Sequence, residues 1–582
     1  MQTRITKVGL MLALAAALVA SGCGSDKKSS SSTGKTGGAV TILEAAGGVD
    51  SLDPGYWYYQ TDYSNLAQTT QRQLYGWPPE ATQPVPDLAT DKPALSNGGK
   101  TITIKIKSGI KYAPPHQTRV VKSADIKYAL ERCFLPSVGN GYAPVYYSGI
   151  TGVKAYQSGK AKEVSGITTP DDSTLVIKTD KPQGVLTTGN ALALPCTSPV
   201  PKEIAAQYDA KKTSTYGEHQ AFTGPYMIKG TETSGTVTKT GYSPGKLLAL
   251  VRNPSWDKGS DFRKANFDTI TFKGGNDITV ASRQILTGQG MMSGDYAAPP
   301  TAVLKQALSQ RKDQLNIAPS QGIRFIALNN KVKPLDNINV RKAIIAATDR
   351  ETLRVTRGGE TLGPIANHMI PPEMPGFEEA GGLQGPGFDF LANPKGDLNL
   401  AKEYMKKAGY KSGLYSGPPI LVISDNQEPA SKTGQAFQAQ ITKLGFKLNF
   451  RQVQHADVIS KFCGSPKAAV AICPTLGWGK DFFDSQSSLD PVLNGKNIVP
   501  VGNTNTAQAD DPKLNAAMDK AETLTDPAAR AKAWAAIDKT ATGEAFYVPW
   551  LWDNQINFAS ANVNGVKNKF NSSWDFTASS LK

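Results

Sequence analysis

The stretch Thr101-Ile102-Thr103-Ile104-Lys105-Ile106-Lys107 and the stretch Val121-Lys122-Ser123-Ala124-Asp125-Ile126-Lys127-Tyr128-Ala129-Leu130-Glu131 follow each other closely and carry two different periods. The first alternates, so every second side chain falls on one face, as in a half-buried strand. The second spaces its apolar residues helically behind Ser123, whose hydroxyl suits the N-cap of a helix. Both periods recur along the chain. Residues 39–43 (AVTIL) and 247–251 read as strands. Helices are expected over 339–348, with Val340, Ala343, Ile344 and Ala347 on one face, and over 398–408 and 436–444, ended by Gly409 and Gly445. Two more are expected over 512–524 and 528–541. Strands interleaved with helices, without an internal repeat, make the class mixed α/β.

At 582 residues the chain is too long for a single core, and roughly 100 to 200 residues per domain predict two to four folding units. The 55 Gly and 38 Pro point to many turns, against a helical bundle or a fibrous repeat. His116, His219, His368 and His455 never share a helical turn, which excludes zincin and zinc-finger spacing; no metal site and no cofactor are expected. The net charge is +15, from 64 Lys+Arg against 49 Asp+Glu. Its lysines are scattered singly, as at Lys100, Lys105, Lys107 and Lys111. That is a solvated face attracted to anionic lipid, and it argues against a nucleic-acid partner.

Arg4 and Lys7 precede an uncharged run over residues 8–20, shorter than the roughly 20 residues of a membrane span. Residues 1–22 therefore read as a signal peptide. Ala20, Ser21 and Gly22 directly before Cys23 resemble a lipobox, in which cleavage precedes the cysteine and the cysteine is lipidated. An ordinary secretory signal is the alternative. Residues 23–38, mostly Ser, Gly and Lys after Cys23, read as a flexible tether. Export favours two disulfides among Cys133, Cys196, Cys463 and Cys473; three connectivities are open, and buried free thiols are the alternative.

A longer pattern lies in the order of short segments. Ser51-Leu52-Asp53-Pro54, Leu74-Tyr75-Gly76, Pro86-Asp87-Leu88-Ala89 and Gly98-Gly99-Lys100-Thr101 come first. Glu131-Arg132, Ser198-Pro199-Val200-Pro201, Thr223-Gly224-Pro225-Tyr226 and Arg252-Asn253-Pro254 follow. Val340-Arg341-Lys342-Ala343, Asp349-Arg350, Gly477-Trp478 with Asp481, and Asp526-Pro527 before Arg530 complete the series. This order, over residues 39–560, resembles the extracellular solute-binding proteins of family 5, the peptide-binding subunits of bacterial ABC importers.

The resemblance implies a two-lobe, periplasmic-binding-protein-like clamshell of type II. Lobe I would comprise residues 39–321 plus 553–582, with an extra subdomain near 75–205, and lobe II residues 322–552. It also favours the pairs Cys133–Cys196 and Cys463–Cys473, each within one lobe. The protein would be no enzyme but a monomeric lipoprotein on the outer face of the bacterial cell membrane. It would capture a peptide or other small solute and deliver it to the permease of an ABC importer.

Within this frame, Gly477-Trp478-Gly479-Lys480-Asp481-Phe482-Phe483-Asp484 would line the cleft. The glycines bring backbone close to a ligand, Trp478 supplies a wall, and Asp481 falls on the acid that binds a ligand's α-ammonium. Asp484 is the weaker acid, because Ser485 stands where the family pattern has proline. Gly48 and Val49 match residues that pair with a peptide by strand addition. Tyr142 matches a tyrosine that touches the ligand, with Trp57 and Tyr58 as further wall, although core packing explains such aromatics equally well. Thr475 departs from the pattern, since oligopeptide binders can place an arginine there. Three rivals remain. One is a receptor for a non-peptide solute, another a sensor on the same fold. The last is a secreted serine hydrolase using Ser243 of Gly241-Tyr242-Ser243-Pro244-Gly245, a match to GxSxG that lacks the following helix.

Overall fold

The computed structural model describes residues 34–45, 48–58, 60–294, 299–500 and 503–582. The signal peptide read over 1–22, the lipidation expected at Cys23 and residues 24–33 of the tether lie outside them. The strand Ala39–Leu43 forms where the sequence placed it, flanked in parallel by Thr269–Lys273 and Met291–Ser293. Leu247–Arg252 and Tyr226–Ile228 extend this sheet in antiparallel fashion. A second, antiparallel sheet runs in the order Ala94–Ser96, Thr101–Lys105, Thr174–Lys178, Ile167–Asp171. Its alternation is the one read from sequence, with Ile102 and Ile104 buried and Lys105 exposed.

The third sheet positions the site. Its order is Leu448–Val453, Ile420–Asp425, Ile472–Gly479, Leu315–Leu328, Tyr547–Phe558. The first two strands are parallel and joined through the helix Ala430–Thr442, whereas the last two are long antiparallel partners of each other. Ile472–Gly479 sits in the middle and is buried from Ile472 to Pro474, as its nearly continuous apolar sequence requires.

The helices Ile338–Ala347, Leu398–Lys407, Pro512–Glu522 and Pro527–Gly543 lie close to the expected bounds. Asn337, Asp397, Asp511 and Asp526 cap them by accepting a backbone N–H, a contact usually worth about 1 kcal/mol. Two details differ from the sequence reading. Ser123 begins the helix Ser123–Arg132 and does not cap it; its hydroxyl donates to the Asp171 carbonyl at 2.6 Å, and the Asp125 carboxylate reaches back to the Lys122 N–H at 2.9 Å. The helix expected from 436 starts at Ala430, a first turn whose Ser431, Thr433 and Gly434 are poor helix formers.

Buried ion pairs join distant segments. Arg132 is fully buried and forks onto Asp53 at 2.7 and 2.8 Å and onto Asp209 at 2.6 and 3.0 Å. Asp87 is held between Arg72 at 2.7 Å and Arg263 at 2.8 Å. Disulfides join Cys133 to Cys196 and Cys463 to Cys473, the pairs the resemblance favoured. At the start of the described chain, the Lys35 N–H donates to the Leu581 carbonyl at 2.9 Å, and the Gly38 N–H donates to Asp268 at 2.7 Å. Residues 34–582 form one compact unit, and among the described residues no helix is long and apolar enough to cross a membrane.

Candidate functional site

The strand Ile472–Gly479 is fixed from both sides. Cys473 is bridged to Cys463, closing a short loop worth roughly 3 kcal/mol against the unfolded chain. Towards its end, Gly477, Trp478 and Gly479 lie in register with Arg324, Ile323 and Gly322. A side chain at 477 would collide, since a Cβ there would stand 2.9 Å from the Ile323 carbonyl oxygen. At 479 a Cβ would meet nothing within 4 Å. Gly479 therefore presents bare backbone to open space, a cavity of about 190 Å³ lined also by Trp478, Lys480, Phe570 and Gly322. The Trp478 indole N–H donates to the Ser487 carbonyl at 2.8 Å, which fixes the ring as a wall.

Beyond the strand the chain turns inward. The Lys480 ammonium donates to Gln321 Oε1 at 2.8 Å and to the Phe570 carbonyl, and it lies over the rings of Phe483 and Phe570. Burial lowers its pKa to about 7, against the opposing pull of Glu373 and Asp481. Asp481 is 8% exposed and accepts a hydrogen bond from the Tyr146 hydroxyl. Burial raises its carboxyl to about 7, while the Tyr146 hydrogen bond and the Lys480 charge act the other way. Among the described residues Asp481 has no cation within ion-pair distance.

Tyr146 connects Asp481 to the other tyrosines. It follows Tyr142 by four residues across the turn Ala143–Tyr147 and packs on Phe482 at 4.8 Å between ring centres. The Tyr142 hydroxyl donates to the Tyr58 carbonyl at 2.8 Å, and those two rings lie 4.7 Å apart. The structure thus gathers Asp481, Tyr142 and Tyr58 around Tyr146, which the sequence reading missed. The i, i+4 spacing of Tyr142 and Tyr146 was the available signal.

The remaining candidates lie elsewhere. Trp57 is fully buried with its indole N–H on the Ser51 carbonyl at 2.9 Å, a core position. Gly48 and Val49 line a small cavity of about 10 Å³ with Glu44, Asn65, Tyr242 and Ser243, and share no lining residue with the cavity at Gly479. Asp484 is clamped by Arg530 at 2.6 and 2.9 Å. Ser243 occupies a hairpin, where Tyr242–Ser243 pairs with Leu247–Arg252 and Gly245 takes φ +69°, so the strand-to-helix elbow of a hydrolase is not formed there.

Comparison with known proteins agrees with this architecture. Residues 83–499 match the family model of bacterial extracellular solute-binding proteins, family 5 Middle. The chain is 26% identical over 447 residues to the oligopeptide-binding protein OppA of Bacillus subtilis (strain 168), covering 75% of this chain and 74% of that one. Among solved structures it resembles clavulanic acid biosynthesis oligopeptide binding protein 2, with a TM-score of 0.81 at 25% identity, over 94% of this chain and 96% of that one. It also resembles the ABC transporter-associated periplasmic binding protein DppA of Helicobacter pylori in complex with the peptide STSA, with a TM-score of 0.75 at 17% identity, over 94% and 98% of the two chains. The fold is the type II, two-lobe fold of these proteins, and the family match spans most of the sequence: the chain belongs to the bacterial extracellular solute-binding proteins of family 5.

Proposed function

We propose that this protein is the substrate-binding lipoprotein of an ABC importer, capturing peptides or peptide-like amines outside the membrane and handing them to the permease. The observation that carries this reading is Asp481, a buried carboxylate that accepts a hydroxyl and, among the described residues, has no cation within ion-pair distance, beside bare backbone at Gly479 and the Trp478 wall. Such a group is costly to ionise alone and becomes favourable when a ligand brings an ammonium; the charge-assisted bond contributes about 1.5–3 kcal/mol. Peptides are the favoured class because OppA is named for oligopeptides and the Helicobacter pylori structure holds one.

Residues 39–321 with 553–582 act as one lobe, carrying the subdomain near 75–205, and residues 322–552 as the other. In support, both proposed crossings fall within strands that pair with each other, Leu315–Leu328 and Tyr547–Phe558. The first crossing coincides with a register shift between Pro319 and Gly322, and Gln321 takes φ +47°. A ligand that touches both lobes only when they are closed shifts the population to the closed form. Cys23 carries the lipid that keeps the receptor at the membrane.

Mass spectrometry of small molecules released on denaturing protein from its native host tests the ligand class. A ladder of short peptides is expected. A single non-peptide species would overturn the peptide assignment and leave the receptor role standing, and ligand binding with uptake intact in a deletion strain would point to a sensor.

A further inference from the structure

Where the tether joins the body, several chain segments meet at one end of the first sheet. The Lys35 N–H donates to the Leu581 carbonyl at 2.9 Å, and the Lys582 N–H donates to the Asn562 carbonyl at 2.9 Å. The Gly290 N–H, just before the strand Met291–Ser293, donates to Asn562 Oδ1 at 2.8 Å. Other segments reach the same end. The Ala265 N–H donates to the Thr577 carbonyl at 2.7 Å, and the Val566 N–H to Ser579 Oγ at 2.9 Å. Gln314 Nε2 donates to the carbonyls of Leu286 and Ala559 at 3.1 and 3.0 Å. Lys35, Lys264, Arg311, Lys312, Lys567 and Lys582 are thereby brought together from four stretches of sequence.

All six are exposed, and among the described residues none has an acid within ion-pair distance. Of the acids in the same segments, Asp268 is paired with Arg252 at 3.1 Å and Asp575 is buried. Asp313 and the α-carboxylate of Lys582 remain, so this end of the molecule is positive. Lys105 and Lys107, which the sequence suggested for a lipid-attracted face, are instead engaged, with Asp171 at 4.0 Å and with the Ser260 carbonyl at 2.9 Å.

We propose that this end of lobe I is a docking surface for anionic lipid headgroups and rests on the membrane to which Cys23 is tied. The proposal rests on the lipoprotein reading and adds to it a second, electrostatic contact. Only residues 24–33 separate Cys23 from Gly34, at most about 40 Å at full extension, and they include Lys27 and Lys28. A body held that close meets the bilayer at high effective concentration, and the surface beside the tether is the one it presents most readily. Each cation near an anionic leaflet adds roughly fivefold in affinity, within a Debye length of about 8–10 Å.

Docking at this end leaves the lobes free to move. Leu315 stands opposite Phe558 at the basic end, and Gln321, at the proposed crossing, lies about 20 Å further along the same strand. Contact through lobe I alone therefore holds one lobe at the membrane while lobe II opens and closes.

Co-sedimentation with vesicles tests this, using the chain from Gly24, which contains the whole compact unit 34–582 and carries no lipid. In about 50 mM salt it should bind equimolar phosphatidylcholine–phosphatidylglycerol vesicles at least about tenfold more tightly than phosphatidylcholine vesicles, and lose that preference in about 0.5 M salt. Lys264→Gln, Arg311→Gln, Lys312→Gln and Lys567→Gln combined should weaken binding to the anionic vesicles by at least about tenfold. Lys395→Gln, Lys411→Gln, Lys443→Gln and Lys447→Gln combined, all exposed on lobe II, should leave it within about twofold. Equal losses in the two quadruple variants mean attraction by net charge alone and overturn the proposal, as does equal binding to both vesicle types. Tighter binding of soluble polyphosphate through the first four residues assigns the surface to an anionic polymer and overturns the lipid assignment. Mass spectrometry of the Cys23 peptide from native cells separates the two failures. A lipidated Cys23 with equal losses keeps the anchor and removes the surface. An unmodified Cys23 with loss confined to the first variant keeps the surface and removes the anchor.

Discussion

Two carboxylates follow the same strand three residues apart, and burial does not distinguish them: Asp481 is 8% and Asp484 7% exposed. Asp484 receives both arms of the Arg530 guanidinium, which is itself held by Gln486 at 2.7 Å and by the Leu524 carbonyl at 3.0 Å. Asp481 receives one hydroxyl. The fold supplies a guanidinium counter-ion at one position and a hydroxyl at the other, where the proposed reading has the ligand bring the cation. What separates the two carboxylates is therefore the kind of partner built around each, more than its depth.

The contrast can be broken most forcefully from the structural side. Arg530→Met strands the Asp484 charge and should cost about 3–5 kcal/mol in denaturant unfolding, with the affinity of the remaining folded protein unchanged. Asp481→Asn should do the reverse. Thermal stability at neutral pH is kept or raised, because a carboxyl raised from 3.8 to about 7 in the fold costs stability progressively as pH rises between those two values. Free-amine peptides should bind about 10- to 100-fold more weakly, and N-acetylated peptides should be unaffected. Equal losses for both peptide types would remove the assigned role.

A smaller effect lies in pH. Because the empty site holds the Asp481 proton up to about pH 7, an ammonium must displace that proton below this value. Affinity for a free-amine peptide should rise by up to about tenfold per pH unit from 5 to 7 and flatten above. Lys480, lowered to about 7, gains its charge below that pH and acts in the same direction. Titrations across this range should give a markedly shallower profile for Asp481→Asn, with the part that Lys480 contributes remaining. The smallest change is Gly479→Ala. It should leave stability within about 0.5 kcal/mol, because its Cβ enters open space, while weakening ligands that approach the backbone there. Gly477→Ala should instead lower stability through the clash with the Ile323 carbonyl.

Local periods made much of the fold legible. The strands at 39–43 and 101–105 and the helix faces near 340 and 515 are written within a few residues of sequence. Where two local signals competed, as Ser123 with Asp125 for the helix start, the reading went to the hydroxyl and the structure to the carboxylate. The ordered motifs were legible as a series, but their physical content was not. Asp53 and Arg132, far apart in sequence, are two halves of one buried ion pair, and Asp87 belongs to another. In the candidate site, Asp481 and Trp478 could be proposed from sequence because they sit together at a strand end. Tyr146 and Arg324 come from other elements, and only folding brings them to that strand. Trp57 was ambiguous because an indole in the core and an indole in a cleft look alike in sequence.

The bridge between Lys35 and Leu581 has a consequence for engineering. With these two segments hydrogen-bonded, a linker of a few residues could join Lys582 to Gly34, and the chain could be reopened at the exposed residues Glu232, Thr233 and Ser234. Such a circular permutant would preserve every sheet and the Asp481 pocket, and would place both new ends on a surface turn to which reporter domains could be fused.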